Sequence, residues 1–350
     1  MATELKHTVK PSGGDFTTLD AAMDHLLAAH QDLIAADVYA TVEIGGTWSS
    51  PDTAAVTIPN LNGDATRYLS IYTTADARHD GKWDTGAYIL APANTSAITV
   101  AAGNLVHMRI DGLQFGPSST NGNYQSCLYI SSVPTATIWV SNCILKQSGD
   151  NSNRTPGVFC EDSSATLYLW NSIIYGLGTT DNSFNSAVCG YDFTAFNIYS
   201  CTIIGGKYGV YAGDSGGTIT VKNTYAGGTV TEDFYRGAGT LAKTNCASED
   251  SSADDTGTGE TASNCDVSVA LGTDTFVNVT AGSQDYHLAA DGLSPLMGQG
   301  VSTSGESAPL NFTTDIDGDT RDATWDIGAD AWVVSEPSGM INDICMIFEC

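Results

Sequence analysis

Basic residues are scarce in this 350-residue chain, which has 13 Lys and Arg against 40 Asp and Glu and a formal net charge of -27 at pH 7. Phosphate contacts depend on Lys and Arg, so neither nucleic acid nor an anionic membrane surface is an expected partner. No apolar run approaches the roughly 18 residues of a membrane span, and no signal peptide is visible at the start. Divalent cations and neutral glycans remain compatible with this charge balance.

Cysteine is also sparse for a disulfide scaffold, and no Cys and His residues have zinc-site spacing. The nine cysteines are an odd number, so at least one thiol is free or pairs with another chain. Cys246 and Cys265 have similar neighbours, Thr-Asn before one and Ser-Asn before the other, and they flank an acidic segment. We predict a disulfide between them that closes this segment.

Glycine and apolar residues are plentiful, with 37 Gly and 42% hydrophobic content, which suits many short strands and turns. A repeat supports this interpretation. One column of apolar residues advances by 30, 30, 30 and 22 residues, and a second advances by 30, 29, 30 and 22, so both shorten at the same place. The columns are Ile98, Leu128, Val158, Val188 and Val210, then Ile110, Val140, Leu169, Tyr199 and Val221.

Asparagine follows the strands of the second column at Asn142, Asn171 and Asn223, and Cys201 takes this place in the remaining repeat. Asn tolerates the left-handed backbone conformation of a tight turn. Apolar residues alternate before each Asn, as a strand with one buried face requires. We therefore predict an all-β fold: one right-handed parallel β-helix, in which each coil buries its apolar face by stacking on its neighbours.

The sequence predicts four segments along the chain. Residues 1–36 would hold an N-terminal segment and a capping helix, because Thr17 and Asp20 resemble a capping box and an apolar stripe continues to about Ala36. Residues 37–245 would form the parallel β-helix. Residues 246–335 would form an acidic loop to about residue 263, then the last coils and a C-terminal cap, and residues 336–350 a linker and an apolar tail. The stripe comprises Leu19, Met23, Leu26, Leu27 and Ile34.

Several short motifs give the chain a resemblance to a family of right-handed β-helix repeat proteins, with a fold like that of pectin lyases, found in secreted bacterial proteins and phage virions. The resemblance spans about residues 10–333 and concerns the fold far more than any activity. It implies a capping turn in which Arg321 pairs with a nearby acid. The motifs are Gly13-Gly-Asp-Phe-Thr-Thr-Leu, His79-Asp-Gly-Lys-Trp-Asp, Ser251-Ser-Ala-Asp-Asp-Thr, Asp285-Tyr-His-Leu-Ala, Asp315-Ile-Asp-Gly-Asp-Thr-Arg and Asp326-Ile-Gly-Ala-Asp.

Asp162, Asp192 and Asp214 each come four residues after the first apolar column, so stacked coils would bring consecutive members near one another. Such a column could bind calcium as a cofactor, or could pair carboxylates for glycoside hydrolysis. Alternatively, each Asp accepts hydrogen bonds from its own turn and faces water. Arg109 and His107 are interpreted as solvated surface residues, since neither has an evident catalytic partner.

Longer connections follow the Asn turn in three repeats, at residues 117–125, 146–155 and 176–185. Because they occupy the same place in each coil, they should stack into a polar wall that carries Tyr124 and Phe184. This wall could contact a glycan or a protein, or it could serve solubility alone. The C-terminal tail is a second expected partner surface, through Ile344, Cys345, Phe348 and Cys350, since it is too apolar to be free in water. Alternatively, the tail folds back over the last coil of its own chain and covers an open edge.

The functional hypothesis is a non-enzymatic, surface-exposed structural or adhesive protein, located in a virion or outside the cell. A phage capsid decoration, fibre or spike would fit, with other virion or surface proteins or glycans as partners. One alternative is a polysaccharide lyase or glycoside hydrolase acting along the β-helix groove. Another is a secreted glycan-binding adhesin. The sequence leaves open whether the protein forms a homo-oligomer.

Overall fold

A computed structural model describes residues 2–59, 61–101, 105–131, 135–148, 155–161, 164–178, 184–213, 217–289 and 292–332. The regular secondary structure of these residues is almost entirely β, with two helices near the N-terminus, α1 (Leu19–His30) and α2 (Leu33–Ala36). Neither helix has the length and apolar character needed to cross a bilayer. In chain order the strands are β1 (Thr3–Val9), β2 (Val38–Ile44), β3 (Val56–Pro59), β4 (Leu69–Thr73), β5 (Ile89–Leu90), β6 (Ile98–Ala101), β7 (Leu105–Asp111), β8 (Gln114–Phe115), β9 (Leu128–Ser131), β10 (Thr135–Ser141), β11 (Ile144–Lys146), β12 (Val158–Glu161), β13 (Ala165–Trp170), β14 (Ile173–Leu177), β15 (Val188–Gly190), β16 (Ala195–Tyr199), β17 (Thr202–Gly205), β18 (Tyr208–Ala212), β19 (Thr218–Lys222), β20 (Tyr225–Gly227), β21 (Glu232–Arg236), β22 (Thr240–Thr244), β23 (Ala247–Ser248), β24 (Glu260–Ser263), β25 (Phe276–Asn278) and β26 (Asp285–Leu288).

Three long parallel sheets contain most of these strands. Sheet 1 has the order β1-β2-β4-β7-β10-β13-β16-β19-β22-β24, sheet 2 has β5-β8-β11-β14-β17-β20-β23, and sheet 3 has β3-β6-β9-β12-β15-β18-β21. From β6 to β20 the chain visits sheets 3, 1 and 2 in turn and then starts the next coil. This arrangement fits a parallel β-helix, and strands β25 and β26 form a separate antiparallel pair.

The first predicted column is confirmed over its whole length. Register pairs join Ile98 to Leu128, Leu128 to Val158, Val158 to Val188 and Val188 to Val210, all at inward positions of sheet 3. All five side chains are fully buried. The spacing between successive residues of this column is therefore the number of residues in one coil.

The second column is wrong by one residue in a single coil. Leu169 pairs with Ile198 and not with Tyr199, and Ile198 pairs with Val221. Consequently Ser200, with a φ of 49°, occupies the left-handed turn position of Asn142, Asn171 and Asn223, and Cys201 does not. Cys201 lies one residue further on and its side chain is fully buried.

The N-terminal helix starts one residue later than the capping pattern predicts. Thr18 is the N-cap and its hydroxyl accepts the amide of Ala21, while the buried Asp52 carboxylate accepts the amide of Leu19 at 2.8 Å. Helix α1 ends at His30, and Ile34 is 36% exposed on the separate helix α2. The remaining stripe residues, Leu19, Met23, Leu26 and Leu27, are buried in the same core cluster as the strands.

Strands continue beyond residue 245, where the sequence predicts a loop. Ala247–Ser248 pairs with β20, and Glu260–Ser263 pairs with β22 as the last strand of sheet 1. The inward position of β22 holds Lys243, whose side chain is fully buried and whose ammonium donates to the Ser252 carbonyl and the Glu260 carboxylate. This buried ion pair helps to hold the acidic turn between β23 and β24.

The described residues between 276 and 332 lie against the outer face of sheet 2, where the sequence predicts the last coils and a C-terminal cap. We call this segment the strap. Sheet 2 strands carry consecutive apolar residues, such as Ile173 and Ile174, and so bury both faces. The second core cluster joins this outer face to the strap through Ile144, Ile173, Tyr175, Ile204, Tyr225, Phe276, Tyr286, Leu288, Leu296, Ile316, Ile327 and Ala329.

The turn asparagines fasten the strap to the coils. Asn223 donates to the Val301 carbonyl at 2.7 Å and accepts the Val301 amide at 2.9 Å. Asn245 donates to the Gln299 carbonyl, and Asn171 donates to the Thr314 carbonyl. Since the bonds at Asn245, Asn223 and Asn171 reach successively later strap residues, the strap runs back along the stack.

Candidate functional site

Tyr124 and Phe184, which come from different connections between sheets 2 and 3, lie together on the outer side of sheet 3. Their ring centroids are 5.8 Å apart, and both contact Phe159, at 5.0 Å for Tyr124 and 5.7 Å for Phe184. Phe159 points outward from β12 and is fully buried beneath them. Both Tyr124 and Phe184 remain partly exposed.

A column of outward-facing residues continues from Phe159 along sheet 3. Register pairs join Tyr129 to Phe159, Phe159 to Cys189, Cys189 to Tyr211 and Tyr211 to Tyr235. We call these five residues, together with Tyr124 and Phe184, the aromatic surface. Sequence analysis missed the column, although each member directly follows an inward residue of β9, β12, β15, β18 or β21.

Rings of the aromatic surface stack along the axis of the coils. Tyr211 and Tyr235 lie 5.6 Å apart with an interplanar angle of 21°, and Tyr129 and Phe159 lie 5.7 Å apart with an angle of 7°. Tyr208 stacks on Tyr235 at 4.1 Å. The flat faces of these aromatic rings are therefore largely covered by neighbouring rings. The side chains of Tyr129, Tyr211 and Tyr235 nevertheless remain partly exposed. An apolar edge next to a hydroxyl suits amphipathic ligands.

Burial and the hydrogen bond to the Glu161 carboxylate raise the pKa of Tyr129 to about 12. The phenol is therefore protonated at neutral pH and acts as a donor to this carboxylate. A carboxylate and a phenol are thus paired at the edge of the aromatic surface.

The described parts of the connections stack on one another as predicted. Gln147 donates to the Gln125 carbonyl at 2.8 Å and to the Pro156 carbonyl at 2.9 Å. The Asn185 carboxamide accepts the Thr155 amide at 2.7 Å, across one coil. Exposed Asn121 and Asn123 add amides near Tyr124. The role of Tyr124 and Phe184 in partner binding stays a prediction.

The predicted carboxylate column falls largely outside the described residues, which include Asp192 but not Asp162 or Asp214. Asp192 is exposed. The tail residues Ile344, Cys345, Phe348 and Cys350 also lie outside the described part of the chain, as does the linker before them. Calcium binding by this column and docking by the tail therefore stay predictions.

Cys246 and Cys265 are neighbours at the inward position that follows the turn asparagine. The backbone amide of Cys246 lies 3.4 Å from Cys265 Sγ, and both are free thiols in the structure. Burial raises the pKa of Cys246, whereas the hydrogen bond from its thiol lowers the pKa of Cys265 to about 6. The predicted disulfide is not formed here, but the two thiols are adjacent.

His287 of the strap lies between two carboxylates. Its Nδ1 contacts Asp285, and its Nε2 lies 2.8 Å from an Asp317 oxygen. Although burial lowers the pKa of His287, these two hydrogen bonds raise it to about 11. A metal ion could be held by His287, Asp317 and Asp330, whose potential ligand atoms lie within 4.8 Å of one another. However, an imidazolium that donates from both nitrogens has no lone pair for a metal, so an ion-pair cluster explains this geometry better.

Arg321 is buried, but it serves the strap in a different way from the predicted pairing with an acid. Its guanidinium donates to the Ala329 carbonyl at 2.8 Å, the Gly328 carbonyl at 3.0 Å and the Asn171 side-chain oxygen at 3.3 Å. Asp315 and Asp330 act on it through their charge. Arg321 therefore stabilises the strap through hydrogen bonds within it and connects the strap to Asn171, which follows a strand of sheet 1.

Comparison of the chain with known protein families and with curated proteins finds no match.

Proposed function

We propose that this protein is a non-enzymatic structural protein of a virion or an extracellular surface that binds glycans through the aromatic surface of sheet 3. The supporting observation is the column of outward residues on sheet 3, which is aromatic at every position except Cys189, with Tyr124 and Phe184 in contact above Phe159. We further propose that the coils form a right-handed β-helix with helix α1 capping its first coil. A stacked solenoid presents such a row at fixed spacing, which a rigid adhesive surface requires.

Glycan recognition is favoured over other partners by the composition of this surface. Tyr211 and Tyr235 are partly exposed, and the exposed amides of Asn121 and Asn123 lie near Tyr124. Hydroxyls and amides hydrogen-bond sugar hydroxyls, while ring edges contact the apolar faces of sugars. A net charge of -27 disfavours polyanionic partners.

The test compares binding by the Tyr211→Leu/Tyr235→Leu protein with that of wild type on an array of neutral and acidic glycans. Affinity for the bound glycan should fall at least about tenfold. Tyr72→Leu, which removes an outward tyrosine of sheet 1, is the matched control and should bind normally. The proposal is wrong if the double variant binds unchanged while folded, or if wild type binds no glycan and captures protein partners alone. Release of reducing ends from a bound polysaccharide would instead support the lyase or hydrolase alternative.

A further inference from the structure

The guanidinium of Arg109 is held between two aromatic rings on the outer face of sheet 1. Its central carbon lies 3.6 Å from the centroid of the Tyr68 ring and 4.1 Å from that of Trp139. Tyr39 stacks on Tyr68 at 5.8 Å, and Tyr168 packs against Trp139 at 6.3 Å, so the row extends over neighbouring coils. The sequence interpretation of a solvated Arg109 is therefore wrong, and the side chain is about half-buried.

Within the described residues, Arg109 is the arginine that makes no hydrogen bond or ion pair. Arg67 pairs with Asp37 and Asp64, Arg78 pairs with Asp111, and Arg236 and Arg321 donate to carbonyls. A charged guanidinium with five donors, partly removed from water, rarely lacks acceptors. An unneutralised cation is especially unexpected in a chain with 40 acidic residues.

The neighbouring ring supplies a second donor without an acceptor. The indole nitrogen of Trp139 is buried and has no hydrogen-bond partner among the described residues. Leaving a buried donor unsatisfied is costly, and this donor lies beside a half-buried guanidinium that also has no acceptor, so the two groups together indicate a missing acceptor. Both groups carry N–H donors and no acceptor, so the missing group must present oxygen lone pairs.

A small cavity is lined in part by Arg109 and Trp139. Its volume is about 80 Å³, and its lining includes Tyr68, His107, Arg109, Thr137 and Trp139. A cavity of about 10–15 Å³ already holds one water, so this one has room for a few waters or one carboxylate group. The planar fork of arginine matches a carboxylate in two parallel hydrogen bonds, and the flanking rings hold that fork in place.

We propose that this cavity binds the carboxylate of an acidic sugar, with Arg109 as the bidentate partner and Trp139 Nε1–H as an additional donor. The aromatic row on either side, which includes Tyr39 and Tyr168, provides apolar edges for the sugar rings. Because the chain carries a charge of -27, a glycan with one carboxylate among neutral sugars suits it better than a polyanion or an acidic peptide. The site lies on sheet 1 and does not depend on the aromatic surface of sheet 3.

The test titrates the full chain by calorimetry with a defined oligosaccharide that has a single glucuronate, and with the methyl ester of the same oligosaccharide. Wild type should bind the acid at least about tenfold more tightly than the ester, and Arg109→Gln should lose this preference. Arg109→Lys should retain only part of it, because an ammonium cannot form the fork. Trp139→Phe keeps an aromatic ring beside Arg109, although a smaller one, and removes the N–H, so it should weaken binding of the acid more than binding of the ester.

Lys6→Gln is the matched control, because it removes a charge of the same sign from the same sheet at the exposed pair with Glu43. It should bind like wild type. Equal binding of acid and ester, no binding of either, unchanged binding by a folded Arg109→Gln protein, or tighter binding of an acetylated glutamate peptide would each overturn the proposal. The Tyr211→Leu/Tyr235→Leu protein should keep the acid preference, so failure of the aromatic surface and failure of this site are distinguishable.

Discussion

The turn asparagine combines two functions at one residue. Asn223 has a φ of 50°, which costs an ordinary side chain about 1–2 kcal/mol, and its fully buried carboxamide makes both hydrogen bonds to Val301. The same position is Asn142, Asn171, Ser200 and Asn245 in other coils. Conformation alone would also favour glycine, so the choice of Asn reflects the bonds of its side chain.

Replacement of Asn223 should separate these two contributions. Asn223→Gly keeps the backbone conformation and loses the two bonds, which should lower the free energy of unfolding by about 1–3 kcal/mol. Asn223→Ala also forces a Cβ into the left-handed region and should cost about 1–2 kcal/mol more. Urea denaturation measures both values. Equal destabilisation by the two variants would show that the backbone conformation is not limiting.

Cys246 and Cys265 should form a disulfide on mild oxidation. They occupy equivalent positions of consecutive coils, whose spacing of about 4.8 Å falls within the Cα separations that a disulfide spans. The low pKa of Cys265 supplies the thiolate that starts the reaction. Closing this loop should stabilise the chain by about 3 kcal/mol, seen as a higher melting temperature than that of Cys265→Ser in the same oxidant. Peptide mapping that finds two free thiols after oxidation would contradict the prediction.

At the level of single elements, the strap depends on the charge of His287. Its pKa is about 11 in the folded protein and about 6.5 in an unfolded chain. A raised pKa means that the stabilisation is fully present below about pH 6.5 and is lost progressively as the pH rises to about 11. The melting temperature of wild type should therefore exceed that of His287→Gln most clearly near pH 6.5.

The difference between the two proteins should shrink steadily from pH 6.5 to 10.5, and comparing them cancels the titration of other groups. Calorimetry across this range provides the measurement. A constant difference would mean that His287 acts through packing and not through its charge.

The sequence pattern predicted the strands whose inward residues recur at the same position in each coil. The column from Ile98 to Val210 was predictable because each coil repeats one inward position. The error at Tyr199 arose because Ile198 and Tyr199 are both apolar, so alternation does not decide between them. The consecutive apolar residues of sheet 2 did carry a signal for a covered outer face, and that signal was missed.

Contacts between distant parts of the chain left no such pattern. The strap reaches Asn171 from Thr314 and Arg321, more than 140 residues later, and composition does not encode this pairing. Arg109 was misjudged for a similar reason, because Tyr68 and Trp139 come from the coils on either side. Local sequence shows that a residue faces outward, whereas its partners depend on the lengths of the adjacent coils.

For the whole molecule, the strap changes how a stack of coils can unfold. Each coil of a solenoid contacts only its neighbours, so such stacks tend to fray from their ends. Here the strap bonds to coils that contain Asn245, Asn223 and Asn171, and so couples coils that do not touch. Arg321 is buried where the strap meets Asn171, and its guanidinium donates to the side-chain oxygen of Asn171.

Arg321→Met should therefore loosen the strap and divide the unfolding of the chain into smaller steps. In native-state hydrogen exchange, amides of β13, β16 and β19 should exchange with one common opening free energy in wild type. In the variant, the opening free energies of these strands should separate, because only contacts between adjacent coils remain to hold them. Lys6→Gln, at an exposed ion pair remote from the strap, should leave the common value unchanged. If all three strands in Arg321→Met lose protection equally and still open together, the coupling resides in the stack itself and not in the strap.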